Sequence, residues 1–525
     1  MTFATRPAAF DPATIAAHLR RVRDPLYLVT GEPGSGIGVA LDGADQRVVG
    51  LLPPLYPEWL GDRAFGEVHG IRFPYVGGEM AGGIATTAMV VALARAELLG
   101  FFGAAGLAPG RVEQAVHELS ATLGDRSSWG VNLIHSPGDP GLEDKIAELL
   151  LTRGVRRISA SAFMDVTPAL ARCAATGLRQ DARGVITRAV HVFAKVSRPE
   201  VAAKFMAPAP PRLLADLVTR GLLTEAEAGL AARVPLAEDV TVEADSGGHT
   251  DNQPLGVILP AVLALRDTIT ERYRYDRPIR VGAAGGLGSP SSVAAAFALG
   301  AAYVLTGSVN QLAIESGVSD DARALLAEAD VADVTMAPAA DMFEMGVQVQ
   351  VLRRGTLFAM RARRLYEAYR GYPSLEAIPA AQRTALEREV LGATFDQAWA
   401  ETRAFWGERD PGQLATAERD PKHRMALVFR WYLGLSSRWA IAGETARRTD
   451  YQLWAGPALG AFNRWTAGSF LARPRERTVT QIALNPLEGA AVVTRAHQAR
   501  TYGVPVPAEA FSFAPRRLGR QGGTG

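Results

Sequence analysis

Between about residue 73 and residue 308 the chain repeats one grammar: a short apolar run ends in small or polar residues, and a helical pattern usually follows. The runs are "FPYVGGEM", "LGFFGAAG", "GVNLIHSP", "RRISASAF", "AVHVFAKVS", "DVTVEADSGGH", "IRVGAAGG" and "AAYVLTGS". Strands separated by helices pair in parallel, because a parallel neighbour is reached only through a long crossover. Eight such units over about 240 to 280 residues predict an α/β fold, a (β/α)8 TIM barrel, with a doubly wound open sheet as the runner-up. The count of eight favours the barrel, as do the glycine, serine, asparagine or histidine at most strand ends. A barrel of this kind builds its active site from loops at the strands' C-terminal ends. The polar cluster "EADSGGHTDN", residues 243–252, then falls on that rim after strand six.

Outside the barrel the pattern changes. Residues 1–66 form an N-terminal segment with β-like runs such as "PLYLVT" and "RVVGLL"; residues 67–345 form the barrel; and residues 346–525 read as a helical C-terminal region whose tail, "RRLGRQGGTG", is expected to be disordered. Between strands five and six the crossover is too long. A helical insertion at about 200–236 is expected there, with Thr224 and Glu227 spaced as a capping box. The 525 residues, 48% hydrophobic with 32 prolines, are ample for a sizeable core. Lys+Arg 56 against Asp+Glu 54 leaves +2, with no long run of one sign, so neither nucleic acid nor membrane is expected as a partner. No continuous apolar segment stands at the N-terminus, and the protein is expected to be soluble and cytoplasmic. Cys173, the single cysteine, lies in "ALARCAATG" and reads as a small core residue on a helix.

The strongest local signal is "GAAGGLGSPSSVAAAFALG", residues 282–300. Gly285 and Gly286 let a backbone approach a ligand, Ser289 suits an N-cap, Pro290 suits the first helical position and Gly300 ends the helix. Backbone N–H groups at such a helix start suit a phosphate, and Gly307 and Ser308 of "TGS" follow one strand later. The spacing is not that of a dinucleotide fingerprint, and no P-loop occurs, so a mononucleotide phosphate such as that of FMN fits better than ATP or NAD. His249, behind Gly247 and Gly248, suits proton transfer or polarisation of a carbonyl. Asp245, Asp251 and Asn252 are available to orient the ring or a cofactor, or to serve as turn residues. No metal-ligand spacing accompanies the histidine, and no metal site is expected. "ADMFEMG", residues 340–346, reads as core or as a pocket lining.

Taken together, "SGGHTDN", "GAAGGLGSP", "TGSVNQ", "GVNLIHSP" and "APAADMFEMGVQVQVLRRGT" resemble the PfaD-type trans-acting enoyl reductases of polyunsaturated fatty acid and polyketide synthases. These form a branch of the FMN-dependent nitronate monooxygenase and enoyl-acyl-carrier-protein reductase superfamily. The resemblance runs from about residue 65 to 470 and includes "FRWYLGLSSRWA" and "YQLWAGPALGAFNRW". It implies a barrel holding FMN, with NADPH as reductant and an enoyl thioester on an acyl carrier protein as substrate. Position by position, it assigns Gly77, Gly78, Met80 and Ala81 to the first flavin loop and Asn132 to the loop after strand three. Asp245, Gly247 and Gly248 match the acidic-x-Gly-Gly element, and Gly285, Gly286, Gly307 and Ser308 match the phosphate loops. His249 matches the active-site histidine, implied to orient the thioester carbonyl and to supply the α-proton. The chain departs from the pattern at Glu79 and Gly82, where alanine and asparagine are common, and at Leu305, where a polar residue is frequent. Arg353, Arg354, Arg361 and Arg363 are candidates to meet an acidic carrier protein. Two other readings stay open: a nitronate monooxygenase-like FMN oxidase, and a non-catalytic synthase scaffold. A homo-oligomer is compatible with the sequence.

Overall fold

The computed structural model describes residues 8–44, 46–126, 128–136 and 139–519. It divides into two compact units, taken separately below: Met1–Ala244 with Gln253–Ser316 and Ala461–Gly525, and Asp245–Asn252 with Gly317–Gly460.

The first unit holds a closed parallel barrel. Its strands are β1 Tyr75–Gly77, β2 Leu99–Phe102, β3 Trp129–Ile134, β4 Arg157–Ser161, β5 His191–Val196, β6 Asp239–Glu243, β7 Arg280–Ala284 and β8 Val304–Thr306. All eight apolar runs of the sequence are strands, and the pairing of Val304 with Tyr75 and of Thr306 with Gly77 closes the circle. Strands covered on both faces need apolar residues throughout, which is why these runs do not alternate. β2 and β7 are buried along their whole length. Between β5 and β6 the expected insertion comprises helices Pro199–Met206, Pro211–Thr219 and Glu225–Ala231, the last opened by the Thr224–Glu227 capping box.

At the start of the strands, the end opposite the rim, an aromatic layer meets a buried ion network. The helix Arg63–His69 contributes Phe65, stacked on Tyr303 at 4.2 Å between ring centroids, and His69. Asp239, fully buried, accepts from Arg280 Nε at 2.7 Å and Nη2 at 2.8 Å, and its Oδ2 lies 3.0 Å from His69 Nε2. Arg157 Nε in turn donates to His69 Nδ1 at 3.0 Å. His69, His191 and Asp239 bring possible metal-ligating atoms within 4.8 Å of one another. Arg280 and Arg157 already hydrogen-bond Asp239 and His69, which read as an ion network that joins the strand starts, while His191 Nδ1 is buried beside them with no hydrogen-bond partner. Such a network tolerates loss of one member badly, because a lone buried charge remains.

An N-terminal sheet and a C-terminal helix come together in this unit. Strands Ile37–Ala40, Leu26–Thr30 and Arg47–Leu52 make an antiparallel sheet in that order. From the long helix Val479–Thr501, the buried Arg495 donates to the carbonyls of Pro53 at 2.6 Å, Val22 at 3.2 Å and Asp24 at 3.2 Å. The tail is ordered further than its composition predicts. Arg516 pairs with Glu488 at 2.7 Å, Arg517 with Glu476 at 2.7 Å, and Leu518 N–H donates to Gln481 at 3.0 Å. These local partners outweigh the bias of a glycine- and arginine-rich segment; residues 520–525 lie outside the described residues.

In the second unit, helices Phe358–Gly371, Ala380–Leu386, Phe395–Arg409, Pro411–Arg419 and Pro421–Ala442 pack with a small sheet. Phe343, Phe358, Leu365, Phe395, Phe429 and Tyr432 are at the centre of its core. The helical pattern expected from residue 346 begins only at Phe358, because Gln348–Leu352 is a strand, paired antiparallel with Val334–Pro338 on one side and Gly248–His249 on the other. Its β-branched Val349 and Val351 are buried, which suits a strand inside a sheet. Arg361 is no surface charge: it is paired with the buried Asp450, which also accepts from Tyr432 Oη at 2.7 Å. Among the described residues no helix is long and apolar enough to cross a membrane.

Candidate cofactor and active site

The first flavin-loop candidates, Gly77 to Ala81, leave β1 and turn at once. Gly78 N–H donates to Thr306 O at 2.9 Å, and a Cβ at Gly78 would lie 2.6 Å from Leu305 Cδ2, so glycine lets the turn pack closely against β8. The turn is tied to the end of β2 by Gly82 N–H to Ala105 O at 2.8 Å and Gly83 N–H to Gly103 O at 3.0 Å. At β8, Tyr75 Oη donates to Asn310 Oδ1 at 3.1 Å and shares a short hydrogen bond with Thr306; burial pushes its phenol up to about 12. Leu305 is buried, so this position offers a ligand no polar atom.

The two glycine loops after β7 and β8 are built as the sequence predicts. Gly285 and Gly286 have φ of 83° and 71°, a region where side chains are strained. A Cβ at Gly286 or Gly307 would meet nothing within 4 Å, so both loops face open space. Ser289 caps the helix Pro290–Ala298 in a box with Ser292. An open glycine turn that leads into a capped helix N-terminus suits a phosphate group.

Within the barrel's C-terminal end lies a polar network that sequence reasoning did not assemble. Lys195 of β5 is bracketed by Glu79 Oε1 at 3.2 Å and Glu243 Oε1 at 3.3 Å. Ser161 Oγ donates to Glu79 Oε1 at 2.6 Å, and Asn132 Nδ2 donates to Ser161 Oγ at 2.9 Å and to Ser159 O at 3.1 Å. Burial works against the Lys195 ammonium, yet Glu243 and Glu79 outweigh it and hold its pKa above the usual lysine range. The signal was present: a lysine inside the apolar run "AVHVFAKVS" has no reason to be there without a buried partner. A second missed pair follows β3. His135 Nδ1 lies 2.9 Å from Glu143 Oε2, and Glu143 also takes hydrogen bonds from Ser136 N–H at 3.3 Å and from Thr167. A buried carboxylate holding Nδ1 fixes the ring's orientation.

The Asp245–Asn252 loop belongs to the second unit. There Gly248–His249 is a short edge strand, with Gly248 opposite Gln350 and His249 opposite Val349. Asp245 Oδ1 accepts from Gln350 Nε2 at 2.7 Å and Asn252 Nδ2 at 2.9 Å, so this carboxylate clamps the loop. Gly247 is required by close approach: its Cβ would lie 2.7 Å from Ala455 N. His249 Nε2 lies 3.2 Å from Asp341 Oδ1, both side chains being substantially exposed, at 39% and 57%. The "ADMFEMG" segment thus supplies the histidine's carboxylate partner through Asp341, while Phe343 goes into the core.

The predicted site residues therefore fall into two groups. Gly77, Gly78, Met80, Ala81, Asn132, Gly285, Gly286, Gly307 and Ser308 belong to the barrel unit; Asp245, Gly247, Gly248 and His249 belong to the unit of the small sheet.

A barrel with two open glycine loops after its last strands suits a phosphate-bearing ligand, and comparison with known proteins gives the class. Residues 63–370 match the nitronate monooxygenase family model, and residues 372–451 match that of the inserted helical domain of [acyl-carrier-protein] S-malonyltransferase. A polyunsaturated fatty acid synthase component from Thraustochytrium sp. is 41% identical over 95% of this chain and 34% of its own length. The polyketide biosynthesis protein PksE of Bacillus subtilis is 39% identical over 93% of this chain and 63% of its own. This chain thus spans from about a third to under two thirds of these two relatives. The crystal structure of the enoyl reductase domain of MlnA, from the macrolactin biosynthesis cluster of Bacillus amyloliquefaciens, superposes with a TM-score of 0.81 at 36% identity, covering 85% of this chain and 99% of that one. The chain belongs to the nitronate monooxygenase family, and within it to the PfaD-type enoyl reductases.

Proposed function

We propose that this chain is a trans-acting enoyl reductase that saturates the α,β-double bond of an enoyl thioester carried on an acyl carrier protein, in polyunsaturated fatty acid or polyketide biosynthesis. The likeness to an enoyl reductase domain along 99% of that domain's length is the observation that carries this reading. A bound FMN supplies the relay of reducing equivalents from NADPH to the β-carbon. The open loops at Gly285–Gly286 and Gly307–Ser308 suit its phosphate, and the turn of Gly77, Gly78, Met80 and Ala81, as the family resemblance implies, lies against the flavin ring. Asn132 is in place to stiffen this end through Ser161, while Gly247 and Gly248 shape the loop that Asp245 clamps around His249.

His249 orients the thioester carbonyl by hydrogen bonding and delivers the α-proton, and Asp341 steadies its ring. The acyl-carrier-protein partner draws support from the match of residues 372–451 to a domain of a carrier-protein acyltransferase. Among the arginines suggested for docking, Arg353 remains a candidate, whereas Arg354 pairs with Asp333 at 3.4 Å, Arg361 is committed to Asp450 and Arg363 to Thr335 and Met336.

The test is His249→Ala, with reductase turnover on an enoyl thioester and retention of flavin both measured. Turnover should fall about a hundredfold or more, the usual range for a lost general acid, while bound flavin stays. Unimpaired turnover removes His249 from the mechanism. The match to the nitronate monooxygenase family model supports a second reading, an oxidase; oxygen consumption in place of alkene reduction under air would favour it.

A further inference from the structure

Glu79 is one of the positions at which this chain departs from the pattern it resembles, and its environment shows what a carboxylate there builds. The side chain is only 5% exposed. Its Oε1 takes the Ser161 hydroxyl at 2.6 Å and the Lys195 ammonium at 3.2 Å, while its Oε2 is buried with no hydrogen-bond partner. A buried carboxylate oxygen left unpaired is strongly unfavourable, so native proteins complete such atoms with a partner. The position is informative as well: Glu79 sits between Gly78 and Met80 in the turn that leaves β1, backed by the rigid ends of β4, β5 and β6 through Ser161, Lys195 and Glu243. Two carboxylates against one ammonium give this cluster a net charge of −1 when all three are ionised.

We propose that Glu79 Oε2 is a cofactor-contacting acceptor, taking an N–H or O–H donor of the bound flavin, and that the Glu79–Lys195–Glu243 triad sets the flavin's reduction potential by neutralising the lysine. The inference rests on the flavin reading above. With Glu79 present, the Lys195 charge is offset twice and does not favour added negative charge on the cofactor. Remove Glu79 and the lysine keeps one carboxylate, so the local charge rises by one unit. A unit charge acting at short range in a partly buried site shifts such equilibria by an order of magnitude or more.

The experiment compares wild type with Glu79→Gln, Glu79→Ala and Lys195→Met, each checked for a folded barrel by circular dichroism and thermal melting. FMN is titrated into flavin-free protein by fluorescence, and the midpoint potential is measured anaerobically against a reference dye. Glu79→Ala should bind oxidised FMN about tenfold more weakly, the loss expected for a hydrogen bond to a charged group. Both Glu79 variants should move the midpoint to more positive values by at least about 30 mV, which is a tenfold change in the ratio of affinities for reduced and oxidised flavin. Lys195→Met should move it to more negative values. Folded variants with unchanged affinity and unchanged midpoint overturn the inference and leave the flavin reading intact. A folded wild type that binds no FMN overturns both. If Glu79→Ala fails to fold, Glu79→Gln, which keeps the shape, still decides the sign of the potential shift.

Discussion

Gly103, just past the end of β2, carries a prediction that links one missing methyl group to cofactor binding. A Cβ on Gly103 would overlap the Met80 carbonyl oxygen and lie 2.7 Å from its carbon and 3.2 Å from its nitrogen. The carbonyl oxygen is the limiting contact, and in Gly103→Ala restoring an ordinary van der Waals distance to it forces the Met80 turn to retreat by more than about 1 Å. The glycine has little room to yield, since its N–H donates to Ala85 O at 3.0 Å and its carbonyl accepts from Gly83 N–H at 3.0 Å. Overpacking of this kind costs about 1 to 3 kcal/mol. Part of the displacement falls on the Gly77–Ala81 turn, so the affinity for FMN should drop roughly fivefold to a hundredfold. The assay is fluorescence titration of flavin-free Gly103→Ala with FMN beside wild type, together with a thermal melt. A folded variant that binds FMN within twofold of wild type would refute the role given to this turn.

Acid should destabilise the fold before carboxylates titrate. Burial, with the neighbouring His69, lowers the His191 pKa from 6.5 to about 3. Below pH 6.5 the unfolded chain takes up a proton that the folded state refuses, so stability falls as pH drops through that window, by about 1.4 kcal/mol per pH unit and about 2 kcal/mol by pH 5. Urea denaturation at pH 7 and pH 5 measures this, and His191→Phe should flatten the slope; an unchanged slope would contradict it. Cys173 is buried in the helix Pro168–Ala175, where burial pushes its thiol up to about 12. A thiol reagent at pH 8 should leave it unlabelled for as long as the barrel is folded and modify it at once in denaturant, since only about one thiol in ten thousand is then ionised in the native state. Rapid native labelling would place Cys173 at an accessible surface.

The barrel was legible because its signal is local. Each strand is a run such as "IRVGAAGG" whose apolar residues are buried on both sides, and several of the helices between strands carry their own side-chain caps, as at Thr86, Thr167, Thr224 and Ser289. The glycine turn after β7 was legible for the same reason, since Gly285 and Gly286 carry the backbone requirement themselves. What the sequence hid is non-local. Gly248 and His249 pair with Gln350 and Val349 about a hundred residues later, so the small sheet and the Asp341 contact of His249 have no short-range pattern. The Glu79–Lys195–Glu243 triad joins three different strand ends, and its only trace is a lysine and two acids at positions otherwise suited to apolar or small residues. The tail misled in the opposite way, because its glycine-rich composition conceals the ion pairs of Arg516 and Arg517 with acids on the preceding segments.

The central claim is tested most directly by the visible spectrum of the purified protein, reconstituted with FMN and followed without oxygen through addition of NADPH and then a short enoyl thioester on an acyl carrier protein. The account predicts that the flavin absorbance bleaches with NADPH, stays bleached, and returns only when the enoyl group is supplied. A protein that remains colourless after incubation with FMN, or a bleached flavin that the enoyl thioester fails to reoxidise, would contradict it.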